Sequence, residues 1–158
     1  MGRAGGSLSE EAVAKVREFL EKMGLRFKYV EEDKVFVVPF QSEDGRRFNV
    51  IVAVRGDWVT TAALAAKKDE LPPNLDERKL YELLLRLSFE MNEVTFGLTD
   101  KGDVVVHAES HVKALSLENF RIEFASVVFG VDYFAKEIAP NLPRLKPPKD
   151  LSRLLYVV

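Results

Sequence analysis

The chain has 158 residues, of which 47% are hydrophobic and 30% are charged, a size and composition typical of one globular domain rather than a disordered segment. Its formal net charge is −2, from 23 basic and 25 acidic residues, which argues against a nucleic-acid-binding protein, because such proteins carry a basic excess. There is no cysteine, and this excludes disulfides, thiolate chemistry and cysteine zinc sites.

The first residues predict neither a signal peptide nor a membrane anchor. MGRAGGSLSEE lacks an apolar core, and no run in the chain approaches the ~20 apolar residues that cross a bilayer. We therefore expect a cytoplasmic protein with no membrane contact. Residues 1–7 are rich in glycine and are predicted to be a flexible N-terminus.

A first helix is predicted to follow this segment. Ser7 and Glu10 have the spacing of a capping box, in which each side chain satisfies a free backbone N–H of the other. Val16 and Leu20 recur at helical spacing. Gly24 supplies the left-handed residue that commonly ends a helix.

Residues 25–56 alternate with a period of two and predict three strands. In RFKYVEE the two aromatic side chains lie on the face opposite to Lys28 and Val30. KVFVVPFQ and RFNVIVAVRG form the next two strands, separated by a turn at SEDGR. Pro39 cannot donate a ladder hydrogen bond, which favours an edge position or a bulge.

The second and third strands are apolar on both faces, at Val35–Val38 and Val50–Val54. A sheet with one face open to water alternates apolar and polar residues, so both faces are predicted to be covered here. Helices can cover one of them. The other is expected to meet a further layer, a second subunit or a bound partner.

WVTTAALA, after the turn at Gly56 and Asp57, predicts a fourth strand because its β-branched residues favour a pleated surface. The part from Ala62 to Lys68 suits a helix equally well. Pro72 and Pro73 then interrupt the chain.

The stretch DERKLYELLLRLSFEMNEVTFGLTDKGDVVVHAESHV predicts a helix followed by a hairpin. The helix is capped by Asn74 or Asp76, and the hairpin closes at Thr99–Gly102. The apolar stripe of the helix consists of Leu80, Leu83, Leu84, Leu87 and Met91.

A last long helix begins at Ser116 or Asn119 and stops at Pro140. Residues 8–142 are predicted to form a single α+β domain, and residues 143–158 a Pro-rich connector with an apolar C-terminal tail. We expect the tail to dock, on its own domain or on a neighbouring chain. The stripe of the last helix consists of Phe120, Phe124, Val127 or Val128, Val131, Phe134 and Ile138.

His107, Glu109 and His111 are the only group with metal-ligand residue types at close spacing. On a strand they share one face, but neighbours there lie roughly 6–7 Å apart, which strains a three-ligand site. The pattern favours a polar stripe on the solvent side. The acids beside the glycine turns, Asp44, Asp100 and Asp103, are typical of turn formation.

No phosphate-binding, hydrolase or metalloprotease motif occurs in the sequence. We therefore predict that the protein is not an enzyme and has no cofactor. A small metal- or ligand-binding enzyme that uses His107, Glu109 and His111 is the alternative hypothesis.

Three segments carry a resemblance to a known group of proteins: LYELLLRLSFEMNEVTFGL, DKGDVVVHAES and VDYFAKEIAPNL. With the predicted order α-β-β-β(-β)-α-β-β-α, they make residues 8–142 similar to the YbjN and type III secretion chaperone-like superfamily. The resemblance implies an α+β domain with helices packed on an antiparallel sheet, which is often dimeric and binds extended protein segments. The resemblance assigns no functional residue in this chain.

We predict a non-enzymatic protein- or peptide-binding module with a chaperone-like or adaptor role, as a homodimer. An extended ligand can add to a free sheet edge, where backbone hydrogen bonds supply affinity. A structural subunit of an assembly, joined through the tail, is a further hypothesis. The predicted contact residues are Phe36, Val38, Phe40, Trp58, Leu154, Leu155 and Tyr156.

Overall fold

The computed structural model describes residues 4–144 of the chain, and the side chains of residues 8–142. It contains three long helices and six strands in the predicted order. Their bounds are α1 Ala4–Lys22, β1 Lys28–Val30, β2 Val35–Gln41, β3 Arg47–Arg55, β4 Trp58–Ala66, α2 Glu77–Glu90, β5 Thr95–Leu98, β6 Val104–His111 and α3 Leu117–Tyr133. Two short 3₁₀ turns, Lys68–Glu70 and Val112–Ala114, join these elements.

The strands form one antiparallel sheet in the order β1-β2-β3-β4-β6-β5. The predicted α+β class is therefore confirmed. β4 is extended over its whole length from Trp58 to Ala66, so the strand prediction for WVTTAALA is correct. It pairs with β6, and this pairing joins the first four strands to the hairpin formed by β5 and β6.

All three helices lie on one face of the sheet. Arg17 of α1 stacks on Phe36 of β2, with its guanidinium carbon 5.5 Å from the ring centroid. Phe134, directly after α3, packs on Phe96 of β5 at 6.5 Å between ring centroids. The core side chains of the strands point to this face and include Phe36, Val38, Val50, Val52, Val59, Val104 and Val106.

The opposite face of the sheet, called the open face below, is not covered by any element of the part that the structure describes. Val35, Val37 and Ile51 lie on it and are only half-buried. Within residues 4–144 no further layer covers this face, so a second subunit or a bound partner stays the prediction for it. Apolar residues on both sides of a strand do not reveal which side receives the helices, because the alternating pattern is the same for either choice.

Helix boundaries differ from the predictions at both ends of the described region. α1 begins at Ala4, so Ser7 lies inside the helix and does not cap it. α3 ends at Tyr133 but continues as a π turn, Phe134–Ile138, and as 3₁₀ turns through Ala139–Arg144. Pro140 does not stop the chain from turning, because proline is tolerated in the first turn of a new helical segment.

The structure decides between the predicted N-caps of α2 and α3. The Asp76 carboxylate accepts hydrogen bonds from the backbone N–H groups of Arg78 and Lys79 at 3.1 and 3.4 Å. The Ser116 hydroxyl accepts one from the N–H of Asn119 at 3.2 Å. Asp76 and Ser116 are therefore the N-caps, and Asn74 and Asn119 are not.

The turn between β2 and β3 is tied to α3 by charge. The Asp44 carboxylate accepts hydrogen bonds from the Ser42 hydroxyl and from the backbone and guanidinium N–H groups of Arg46, and these hold the pKa of Asp44 at about 2. The second guanidinium nitrogen of Arg46 lies 2.8 Å from Asp132 of α3. Asp44 thus forms the predicted turn and also orients the arginine that reaches the helix.

Candidate functional site

The predicted contact residues on β2 do not all face solvent. Phe36 and Val38 are fully buried beneath the helices, so their side chains cannot touch a partner directly. Phe40 is half-buried, and its ring lies 5.5 Å from that of Phe48 on β3. Of these three predicted residues, the partner surface proposed below therefore uses only Phe40.

Trp58 is 51% exposed on the open face. Its ring meets His111 of β6 edge-on, with 5.3 Å between ring centroids. Leu154, Leu155 and Tyr156 of the tail lie outside the described residues.

The backbone of β2 shows which groups can receive an added strand. Val54 N–H donates to Lys34 at 3.1 Å and Ser42 N–H donates to Arg46 at 2.9 Å, one at each end of the β2–β3 ladder. Ladder bonds in antiparallel pairs recur at every second residue. The even-numbered residues of β2 therefore bond β3, and the odd-numbered residues direct their backbone groups away from it.

β1 receives these outward groups only at Val35 and Val37, since its register with β2 covers three residue pairs. Pro39 and Gln41 direct theirs beyond β1. The same alternation turns the backbone N–H and C=O of Tyr29 outward from β1. We call the outward backbone groups of Tyr29, Pro39 and Gln41 the free edge.

The prediction that Pro39 sits at an edge is confirmed by this geometry. Its missing N–H would have pointed away from β3, so the proline removes no bond from the β2–β3 ladder.

At the other edge of the sheet, α2 satisfies one backbone donor of β5. The Ser88 hydroxyl donates to the Leu84 carbonyl at 2.8 Å and accepts from the backbone N–H of Phe96 on β5 at 2.9 Å. Ser88 thereby satisfies a backbone donor that would otherwise be offered to an added strand. The sequence signal for this contact is a single hydroxyl within a leucine-rich stripe, and it was not recognised there.

The histidine stripe lies on the open face of β6, as predicted. Glu109 Oε1 is 2.5 Å from His107 Nδ1, while His111 Nδ1 accepts a hydrogen bond from the backbone N–H of Lys113 at 3.1 Å. His111 also packs on Trp58. The imidazole of His107 has room because Gly97 lies beside it, where a Cβ would be 3.2 Å from the ring.

These contacts do not assemble three ligands around one point. In residues 4–144 no group of three His, Cys, Asp or Glu side chains could hold a metal ion. The metal-site hypothesis for His107, Glu109 and His111 is therefore not supported by the geometry. The stripe is polar and solvent-facing, opposite the buried residues of β6.

A buried carboxylate joins α3 to β6. Glu123 is 4% exposed and accepts hydrogen bonds from the Ser110 hydroxyl at 2.6 Å and from the Asn119 amide at 2.8 Å. The amide also donates to Ser110 at 3.1 Å. Because each member is bonded to the other two, this cluster fixes the helix on the sheet and offers no free group for chemistry.

Apolar side chains are exposed on the outer surface of the helices. Leu85 and Phe89 are one turn apart on α2 and are 71% and 70% exposed. A shallow groove lies beside the end of α2, lined by Met91, Asn92, Val94, Ile122, Ala125, Ser126 and Phe129. We call the exposed pair Leu85 and Phe89 the outer patch. Exposed apolar side chains that lie together can mark an interaction surface.

Within residues 4–144 no helix is long and apolar enough to cross a membrane. No protein-family model matches the sequence, and no curated protein does.

Several solved structures share the fold. A chain of the ExsC–ExsE complex matches with a TM-score of 0.58 at 15% identity, over 86% of this chain and 96% of that one. The Yersinia pestis type III secretion chaperone SycH, solved with a stable fragment of YscM2, matches with a TM-score of 0.55 at 14% identity, over 77% and 97%. YbjN from E. coli matches with a TM-score of 0.56 at 14% identity, over 78% and 91%.

The similarity to these structures extends over most of their lengths, and at such identities it establishes the fold alone. It agrees with the helices packed on one face of the antiparallel sheet. The chain has the YbjN and type III secretion chaperone-like fold, as the sequence predicted.

Proposed function

We propose that the protein is a non-enzymatic protein- or peptide-binding module with a chaperone-like or adaptor role, and that it acts as a homodimer. The observation that carries this proposal is the asymmetry of the sheet edges. The free edge directs backbone groups of Tyr29 and Gln41 outward, whereas Ser88 occupies the edge at β5. An extended segment can therefore pair with the free edge, while α2 takes up part of the edge at β5.

Two neighbours in structure support the choice of a protein partner. The SycH structure contains a fragment of YscM2, and another match, at a TM-score of 0.52, is the HopA1–SchA chaperone–effector complex. We place the activity in the cytoplasm as part of the same proposal.

The proline variant Gln41→Pro tests the edge directly. Its ring removes an outward N–H without touching the β2–β3 ladder. Screening a library of ten-residue extended peptides against the protein should yield binders, and Gln41→Pro should weaken them by about tenfold, the equivalent of one net hydrogen bond.

Gln41→Ala is the matched control, because it removes the same side chain and keeps the N–H. Hydrogen exchange should show protection of the Gln41 amide when a peptide binds beside β2, or of the Tyr29 amide when it binds outside β1. A library that yields no binder, or binding that leaves both amides exchanging freely, would refute the peptide-binding role.

The outer patch is the proposed dimer surface. Burying Leu85 and Phe89 against a second copy would stabilise the dimer by about 2 kcal/mol for each side chain. Leu85→Glu combined with Phe89→Glu should therefore convert the dimer to a monomer of unchanged helix content, measured by light scattering and circular dichroism.

Arg86→Glu is the control for this pair, since it introduces a carboxylate at an exposed position of α2 and removes no apolar group. A weak dimer has a Kd on the order of 100 μM. An unaltered protein that stays monomeric at this concentration or above would therefore exclude the dimer. A dimer that persists in the double variant would show that the interface lies on another surface.

A further inference from the structure

Different kinds of side chain border the free edge on the two faces of the sheet. On the helix side of the sheet it is bordered by half-buried aromatic rings, which belong to Phe27, Tyr29, Phe40 and Phe48. The ring of Phe27 lies 5.4 Å from that of the buried Phe36, and the rings of Phe40 and Phe48 lie 5.5 Å apart, measured between centroids. A strand added here would place every second side chain against these rings.

The open-face side of the same edge is basic. Lys28 of β1 and Arg47 of β3 lie on it, and both are exposed. Neither forms an ion pair with a residue of the described region. Arg47 pairs in register with Gln41, so it stands roughly 10 Å from a strand added beside β2, which is within reach of two long side chains.

The strands themselves contribute few acidic groups to the open face. Among the open-face positions of the six strands only Glu109 carries a carboxylate, and it is engaged with His107 on the distant half of the sheet. The turn containing Glu31, Glu32 and Asp33 is acidic but lies beyond the end of β1. The turn that joins Gln41 to Arg47 also holds Glu43 and Asp44, and the Asp44 carboxylate is engaged with Arg46.

Arg17 adds a third positive charge on the helix side. Its guanidinium carbon lies 5.6 Å from the centroid of Phe27 and 5.0 Å from that of Tyr29. Stacking on the rings of Phe27 and Tyr29 holds this arginine beside the edge rather than out in solvent.

We propose that the partner segment is an extended strand in which apolar and acidic residues alternate. This rests on the peptide-binding function proposed above and specifies the chemistry of the ligand. Apolar side chains lie against the edge aromatics, and carboxylates on the opposite side of the strand face Lys28 and Arg47. The two basic residues therefore determine specificity, while the backbone of the free edge supplies pairing.

Three synthetic peptides test the proposal on the full chain: four Leu-Glu repeats, four Leu-Ser repeats and four Leu-Lys repeats, each labelled with a fluorophore. The Leu-Glu peptide should bind about tenfold more tightly than the Leu-Ser peptide, as expected for two exposed ion pairs. This difference should shrink at high salt, because exposed charges are screened.

Lys28→Glu combined with Arg47→Glu should reverse the preference in favour of the Leu-Lys peptide. Lys28→Gln with Arg47→Gln should abolish the preference without reversing it. Arg121→Glu with Lys136→Glu is the control, because both residues are exposed on the helical layer. Circular dichroism establishes that each variant is folded.

The outcomes separate the two proposals. Equal binding of all three peptides, or a preference for the Leu-Lys peptide by the unaltered protein, overturns the acidic specificity and leaves the peptide-binding role intact. An acidic preference that survives both pairs of substitutions at Lys28 and Arg47 also overturns it. If none of the peptides binds and the library screen above also fails, the peptide-binding function falls as well.

Discussion

Replacing Phe36 with alanine is expected to lower the free energy of unfolding by about 3–5 kcal/mol, the usual cost of removing a buried phenylalanine. The side chain is fully buried, and its ring lies 4.5 Å from that of Tyr29 and 5.4 Å from that of Phe27, measured between centroids. Its loss would leave a cavity below α1 and free Arg17 from one of its three rings. Urea or thermal denaturation followed by circular dichroism measures the change.

Trp58→Ala is the comparison, because both residues were predicted as partner contacts and only Trp58 is exposed. The free energy of unfolding of Trp58→Ala should differ from that of the unaltered protein by less than about 1 kcal/mol, as for a surface substitution. If Phe36→Ala were as stable as the unaltered protein, the ring would not be in the core, and the assignment of the two sheet faces would be wrong.

Gly130→Val is expected to cost about 3 kcal/mol of unfolding free energy or to prevent folding, at the upper end of overpacking effects. A Cβ at Gly130 would lie 2.6 Å from Val106 Cγ1 and 2.9 Å from Val94 Cγ1. α3 can therefore approach the sheet this closely only without a side chain here. The gain in helix propensity, below ~1 kcal/mol, does not offset the clash.

The graded variant Gly130→Ala should be less damaging than the valine, since it adds only the first of the clashing carbons. Arg121→Val at an exposed position of α3 controls for placing a β-branched residue in the helix, and should cost a few tenths of a kcal/mol. Equal stability of Gly130→Val and Arg121→Val in thermal denaturation would mean that α3 does not pack on β6 as described.

The alternating pattern of the strands was sufficient to predict the sheet. It predicted that Lys28 and Val30 lie on the face opposite to Phe27 and Tyr29, and this division defines the two sides of the free edge. Side chains of a strand alternate by local geometry, so this information needs no tertiary context. The positive φ of Gly24 and Gly102, 68° and 83°, likewise follows from local turn chemistry.

The contact residues could not be chosen correctly from the same pattern. Phe36 and Val38 on one side of β2, and Val35 and Val37 on the other, are equally apolar, so periodicity cannot tell which pair is beneath the helices. The buried Glu123 was missed for a related reason. Its partners Ser110 and Asn119 come from two elements, and only their packing satisfies the carboxylate.

The sequence by itself therefore determined the order of elements, the turns and the alternation of faces, because these depend on interactions between residues close in the chain. It also carried the resemblance that implied a chaperone-like fold. The tertiary structure alone decided which face of the sheet is open, that Ser88 binds a backbone donor at one edge, and that Lys28 and Arg47 border the other. These features depend on residues brought together from distant positions, and local patterns do not specify such contacts.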